Sequence, residues 1–254
     1  MSESLLVSRE ERVLRITLNR PEKKNALNAE LCRGVLSAVE EADADPGIGC
    51  VLLDSRGDVF CAGMDLDETT TPEGQAIADI HGRLFTIGRW LRKPLVAAIS
   101  GPALGGGVGL VANAHIAVAV QGCTFALTEV RIGMWPFAIW PAIAQALGTR
   151  RALSLALTGR VFSVAEAVQW GLVHEVAPAF ELDDRAFATA VHLAGLSAAT
   201  LRSGLEFVRA VEGLEGEAAV ALALARRAEV FRSPDFLEGV AALREKRRPR
   251  WTDG

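Results

Sequence analysis

Four glycines fall within five positions of Ala103-Leu104-Gly105-Gly106-Gly107-Val108-Gly109-Leu110-Val111, between the apolar runs 94–100 and 116–120. Short apolar runs bounded by turn residues read as buried strands, so the glycines sit where a strand hands over to a helix. Side chains given up at a helix start expose backbone N–H groups where partial positive charge gathers, and negative charge is welcome there. Phosphate is the first ligand to consider. A P-loop requires Gly-Lys-Ser/Thr to follow, and none does; a dinucleotide fingerprint requires a third glycine and a distal acid at other spacings. Two uses remain. One is close backbone packing at a turn; the other is an oxyanion hole, in which two N–H groups face an oxygen that gains charge during reaction. An oxyanion hole needs a partner loop. Phe60-Cys61-Ala62-Gly63-Met64-Asp65 follows the apolar run 48–54 as the glycines follow 94–100, which places both loops on the same side of one sheet.

The flanking chain fits an α/β layer arrangement. Val13–Leu18 alternates as a strand and ends at Asn19-Arg20-Pro21, in a loop that carries Lys23 and Lys24. Asn28 is placed to cap a helix with Leu31, Val35, Leu36 and Val39 on one face, closed by Asp45-Pro46-Gly47. Another helix is expected over about 73–91. From about 141 onward the pattern is mostly helical, with a small extended piece at 172–176 and Ala-rich helical segments at 180–196 and 199–231. We therefore expect a core of residues 1–195 and a helical C-terminal region of residues 196–254.

Composition narrows the function classes. Half of the 254 residues are apolar and 23% are charged, which excludes a largely disordered chain. The net charge of -4 offers no broad basic field for nucleic acid, and the basic stretch Arg244–Arg250 reads as a solvated helix face. Cys32, Cys50, Cys61 and Cys123 form no C-x-x-C pair, as expected of reduced thiols in a cytoplasmic protein. The start of the chain lacks the features of a signal peptide, and no apolar run approaches the ~18 residues of a spanning helix. His81, His115, His174 and His192 have no metal-ligand spacing with one another or with cysteine, so no metal is expected. No histidine is placed by sequence to activate Cys61.

Glu129 is the most informative charged residue. In Thr124-Phe125-Ala126-Leu127-Thr128-Glu129-Val130-Arg131-Ile132 a period of two puts Glu129 with Phe125 and Leu127, where burial would raise its pKa and suit it to proton transfer. The same alternation adds Arg131 to that face, and from this segment alone a structural Glu129/Arg131 ion pair is preferred. Trp135, Phe137, Ile139 and Trp140 are expected to line core or pocket.

Taken as a set, "NRPEKKNALN", "FCAGMDL", "AISGPALGGGVGL", "FALTEVRIGMWP" and "LTGRVFSVAEAVQWGLVHEV" resemble, in order and spacing, the crotonase (enoyl-CoA hydratase/isomerase) family over roughly residues 5–180, with a weaker match at "FLEGVAALREKR". The resemblance implies an α/β fold, a spiral of ββα units with a helical C-terminal region that builds trimers or dimers of trimers. It makes the N–H groups of Met64 and Gly106 an oxyanion hole for a thioester carbonyl, with Gly105 and Gly107 serving close backbone approach. It places coenzyme A, part of the substrate rather than a cofactor, along the loops of Lys23, Lys24, Ala62 and Asp65. Trp135 and Phe137 border the acyl group, and Leu243 and Lys246 match tail positions that close over the ligand, sometimes from a neighbouring subunit.

Family hydratases commonly carry two glutamates; Glu129 matches one, and Gly109 stands where the other belongs. The leading reading is hydration of a 2-enoyl-CoA with Glu129 as the single acid/base, and Gly109→Glu is then expected to raise hydration. The alternative is a Δ3/Δ2-enoyl-CoA isomerase, supported by bulky Phe137 where hydratases are glycine-rich; a non-catalytic acyl-CoA-binding protein is the further alternative.

Overall fold

The computed structural model describes residues 4–69, 71 and 77–252. Its main sheet has six strands in the order β1-β2-β3-β4-β6-β9, formed by β1 (Leu5–Glu10), β2 (Val13–Leu18), β3 (Cys50–Ser55), β4 (Leu95–Ile99), β6 (Ile116–Val120) and β9 (Glu175–Ala177). β1 pairs antiparallel with β2, and every later pairing is parallel. Parallel strands covered on both faces need apolar residues at successive positions, not only alternate ones, and the sequence supplies them. Val51, Leu53, Ala97, Ile99, Ala117 and Ala119 point into the larger core, while Cys50, Leu52, Val96, Ala98 and Val118 point the other way.

That second face is covered by helix α8 (Leu182–Ala194), whose Leu182, Ala186, Ala190 and Ala194 are buried at a spacing of four. Alanines let the helix lie close. A Cβ on Gly49 would sit 2.8 Å from Ala194 Cα, so the glycine before β3 is a condition of the contact.

The larger core lies between the main sheet and a second layer. After each central strand the chain contributes a short extended piece to that layer and then enters a helix. Leu27 bridges Met64, Cys61 bridges Ala103, β5 (Ala103–Leu104) pairs with β7 (Thr124–Ala126), and β7 pairs with β8 (Val161–Ser163). The helices that follow include α1 (Ala29–Ala44), capped by the Asn28 side chain on Leu31 N–H as expected, α2 (Ala78–Leu84), α3 (Ile87–Trp90) and α4 (Gly106–Asn113). The single helix expected over 73–91 is therefore interrupted at residues 85–86, and its part at 73–76 lies outside the described residues.

Beyond β7 come α5 (Trp140–Leu147), α6 (Thr149–Thr158) and α7 (Val164–Gln169). Past α8, α9 (Ala198–Val211) and α10 (Gly216–Val230) bury no residue in the single chain, and α11 (Pro234–Glu245) buries only Asp235 and Ala242. Among the described residues no helix is long and apolar enough to cross a membrane.

Two histidines close the starts of parallel strands by the same device. His115 donates its N–H to Leu95 O and accepts Leu95 N–H on Nδ1; His174 does the same with Ala117. An acceptor nitrogen must be unprotonated, and burial pushes the His115 pKa from 6.5 down to about 4. The unfolded imidazole takes its proton near 6.5. The contribution is thus complete above that pH and is lost as the pH falls from 6.5 through 4, up to about 3 kcal/mol. Urea midpoints at pH 7.5 and pH 5 should show most of this loss in the natural chain. His115→Asn keeps an acceptor but does not titrate, and should lose much less; an equal loss would remove His115 as the cause.

Candidate active site

The loop after β2 is held to the loop after β3 by a short ladder. Leu27 N–H donates to Gly63 O, Asp65 N–H to Leu27 O, and Ala62 N–H to Lys24 O. Buried Asn25 accepts from Arg20 N–H and donates to the carbonyls of Arg56 and Val59. Arg20 bonds Ala26 O at 2.6 Å and Asp65 Oδ2 at 3.0 Å. Asp65 is buried and its carboxylate is occupied by Arg20, so it fixes the two loops rather than presenting a charge to a ligand. Arg20 and Asn25 escaped the sequence reading. A polar residue inside a basic loop gives no sign of burial, and only the quoted stretch "NRPEKKNALN" marked the place.

Because Gly63 and Asp65 spend their groups on Leu27, Met64 turns its N–H the other way. There the neighbouring extended piece has already ended and α4 begins. The Gly105 N–H is used, donating to Ala126 O, and the first helical bond is Gly109 N–H to Gly105 O. Gly106 N–H therefore belongs to the first turn, which has no intrahelical acceptor. Among the described residues neither Met64 N–H nor Gly106 N–H donates to protein. The two loops touch here: a Cβ on Gly63 would stand 3.2 Å from Gly106 N and 2.8 Å from Leu104 O.

Each glycine of the cluster meets a different neighbour. Gly105 has φ +49°, and its added Cβ would lie 3.0 Å from Glu129 Oε1. A Cβ on Gly106 would meet Leu27 and Phe85, and one on Gly107 would stand 2.4 Å from Cys61 O. One on Gly109 would stand 2.4 Å from Ile139 Cγ2, 2.9 Å from Ile139 Cβ and 3.1 Å from Phe85 Cδ1. Gly109 is thus not a vacancy. The space of the expected second acid is filled by Ile139 and Phe85.

Glu129 differs from its expected setting. β7 ends at Ala126, and Glu129 opens a 3-10 turn, Glu129–Ile132, closed by Gly133 at φ 76°. The strand period fails after Leu127, so Arg131 leaves the Glu129 face; its guanidinium donates to Gly159 O, not to Glu129. Glu129 is 7% exposed and its Oε2 has no partner. Burial raises its pKa, opposed by its own backbone N–H.

Met64, Gly106 and Glu129 line one cavity of about 180 Å³ with Leu27, Phe85, Met134, Trp135, Pro136, Phe137 and Ile139. Such a volume is below the roughly 300–1,000 Å³ that encloses a drug-sized ligand, so it suits a short acyl end with the rest of the ligand outside. Trp135 packs against Trp140 at 5.6 Å between ring centroids, and Phe137 is 76% exposed at the rim. His81, read from its spacing as an ordinary histidine, also lines this cavity.

The remaining sequence candidates fall outside it. Lys23 and Lys24 are exposed; Lys23 pairs with Asp67 at 2.9 Å, and that partner raises its pKa. Leu243 and Lys246 do not line the pocket. Leu243 borders a separate groove with Phe236, Val240 and Trp251, and Lys246 caps α11 in the left-handed conformation. Burial pushes the Cys61 thiol up to about 12, which leaves it packing rather than attacking. A larger cleft of about 890 Å³ lies at the opposite ends of the parallel strands, beside Arg9, Arg12, Arg92 and Lys93. Their charges are committed, as in Arg9–Asp45 and Arg92–Asp43, and neither Met64, Gly106 nor Glu129 lines it.

Two unspent N–H groups beside a buried carboxylate with one free oxygen, at the C-terminal ends of parallel strands, define the class of site in which an α/β enzyme pairs anion binding with proton transfer. The chain belongs to the enoyl-CoA hydratase/isomerase family, whose model matches residues 8–254. It is 36% identical over 258 residues to a protein of Mycobacterium bovis named "Probable enoyl-CoA hydratase", covering 98% of each chain. It is 34% identical over 252 residues to the mevalonyl-coenzyme A hydratase of Aspergillus fumigatus, covering 94% of this chain and 91% of that one. The crystal structure of an enoyl-CoA hydratase from Mycobacterium smegmatis matches with a TM-score of 0.90 at 31% identity, over 98% of this chain and 99% of that one. The fold is the crotonase fold.

Proposed function

We propose that this enzyme hydrates a 2-enoyl-CoA, with Glu129 as its single acid/base. The observation that carries the proposal is the meeting of the Met64 and Gly106 N–H groups with the Glu129 carboxylate, whose Oε2 has no partner, in one largely apolar cavity. The thioester oxygen accepts from both N–H groups. As a water oxygen bonds to the β-carbon, Glu129 takes the water's proton and the double-bond electrons move through the α-carbon onto the thioester oxygen. The two N–H groups stabilise that charge. Collapse of the enolate then takes the proton from Glu129 onto the α-carbon. Burial of Glu129 suits both steps, because a raised pKa makes the carboxylate a stronger base toward the attacking water, and the carboxyl so formed is still acidic enough to protonate the enolate α-carbon.

Coenzyme A is proposed to run outside the cavity along the loop of Lys24 and Ala62, with Lys23 freed from exposed Asp67 for phosphate. The unburied faces of α9 and α10, with exposed Val208, Val220 and Leu224, are proposed to form a trimer or dimer of trimers, in which Leu243 and Lys246 reach a neighbour's ligand.

A second reading is Δ3/Δ2 isomerisation, in which Glu129 carries a proton between the α- and γ-carbons. The dry wall of Phe85, Phe137 and Ile139 favours it, since isomerisation needs no water. Incubation with 2-enoyl- and 3-enoyl-CoAs in ¹⁸O-labelled water separates the two. Label at the β-carbon is expected; double-bond migration without label selects the isomerase, and binding without either sinks both.

The expected gain of hydration in Gly109→Glu is withdrawn, because its carboxylate has no room. Overpacking of this kind costs about 1–3 kcal/mol, so the variant should melt lower and hydrate no faster. Gly109→Glu with Ile139→Ala removes the 2.4 Å contact but leaves the one at 2.9 Å, and should recover part of the melting temperature. A single variant that melts normally would show that Ile139 yields.

A further inference from the structure

One titratable side chain of the cavity has no part in the proposed chemistry. His81 lies on α2 one turn ahead of Phe85, with ring centroids 5.5 Å apart at 44°. Phe85 is itself fixed: Asn113 Nδ2 donates to its carbonyl at 2.8 Å, and its ring edge meets the Gly106 and Gly109 positions. His81 is thereby held in the lining by its contact with the fixed Phe85 ring. Apart from Glu129, the lining is otherwise made of Leu27, Met64, Gly106, Met134 and the segment 135–139. Within this lining Glu129 and His81 are the ionisable side chains.

Among the described residues the His81 imidazole has no hydrogen-bond partner, and the Glu68 carboxylate, the charged group that acts on it, is spent on Ala29 N–H at 2.6 Å. His81 is half-buried in this apolar lining, so its ring nitrogens remain open to a hydrogen-bonding group that enters the cavity and displaces water. Burial lowers the imidazole's pKa, so it is neutral at physiological pH and offers one N–H donor and one nitrogen acceptor. A neutral donor–acceptor suits a hydroxyl or carbonyl. A carboxylate would meet no cation here and would share a low-dielectric cavity with Glu129.

Resting on the acyl-thioester reading of this site, we propose that His81 selects the acyl group: the pocket prefers thioesters whose acyl portion carries an uncharged hydrogen-bonding group, a hydroxyl or carbonyl, beyond the reacting carbons. His81 is then a specificity residue, not a participant in proton transfer.

The test compares pairs of CoA thioesters of equal chain length, one plain and one bearing a hydroxyl or keto group near the end of the acyl chain, as reactive 2-enoyl forms and as saturated, unreactive forms. In the natural chain the polar member should have the higher kcat/KM and the lower Kd. A site built to hydrogen-bond a ligand loses discrimination steeply when its partner is removed. His81→Phe and His81→Leu should therefore reduce the polar-to-plain ratio at least about 10-fold, in kcat/KM and in Kd alike. His81→Asn, which keeps a donor and an acceptor, should hold the ratio within about 3-fold. An unchanged ratio in folded His81→Phe or His81→Leu overturns the proposal, as does a parallel fall for both members of a pair. Should the natural chain bind the saturated thioesters yet turn over neither enoyl form, the proposed reaction fails, and the Kd ratios still decide His81.

Discussion

Glu129→Gln should lower kcat/KM by at least ~100-fold and as much as ~10⁴-fold, the range for removing a positioned acid/base, while the Kd of a saturated acyl-CoA stays within a few-fold. The split follows from the surroundings of the carboxylate. Glu129 Oε2 is buried without a partner, so no ion pair collapses when the charge is removed, and glutamine has nearly the same shape. An amide at that position retains the packing against Gly105 but cannot take a proton from water or return one to carbon. The protein should therefore fold as before and still bind thioester, with the Met64 and Gly106 N–H groups intact. Measurement of kcat/KM with a 2-enoyl-CoA beside a melting curve decides it. Turnover within 10-fold of the natural chain, with the fold unchanged, removes Glu129 from the mechanism and leaves the cavity without a proton carrier at that end.

Sequence reasoning reached the strands because parallel strands buried on both faces need continuous apolar runs: 48–54 and 94–100 differ from β3 and β4 by one or two residues at the ends, and 116–120 coincides with β6. It reached the two loops for a related reason, since glycines after such runs mark close approaches of backbone. The partners of those glycines were not legible. Whether Gly109 faces open space or the branched side chain of Ile139 depends on a packing across 30 residues of chain, and the family resemblance suggested a vacancy where the structure has a wall. Glu129 was found as a residue and misplaced as geometry. Its alternation with Phe125 and Leu127 ran on past the end of β7, because a period of two carries no mark where a strand turns into a 3-10 helix. His81 was passed over because a metal site announces itself by spacing, whereas the lining of a small cavity is set by tertiary contact alone.

Gly107→Ala is expected to reduce turnover by about 10²–10³-fold, the effect of losing one oxyanion donor, although the methyl group it adds touches no part of the cavity. The new Cβ would stand 2.4 Å from Cys61 O and 2.9 Å from Cys61 Cβ. A backbone carbonyl is not the free end of a side chain; it also accepts Leu104 N–H at 2.9 Å, so it cannot turn away without opening the Cys61–Ala103 bridge. The start of α4 and the loop of Met64 must instead separate, and the two N–H groups cease to converge on one oxygen. Such a displacement acts more on the transition state, where charge has formed on that oxygen, than on the bound thioester. Hence kcat should fall further than KM rises, and melting should drop as well, since overpacking costs about 1–3 kcal/mol. Gly82→Ala serves as the matched control, because a Cβ there meets nothing within 4 Å and alanine favours the helix by roughly 0.5–1 kcal/mol over glycine. Normal turnover in a folded Gly107→Ala variant would mean that the Met64 and Gly106 N–H groups need not act together, and the anion-binding half of the proposed mechanism would have to be placed elsewhere.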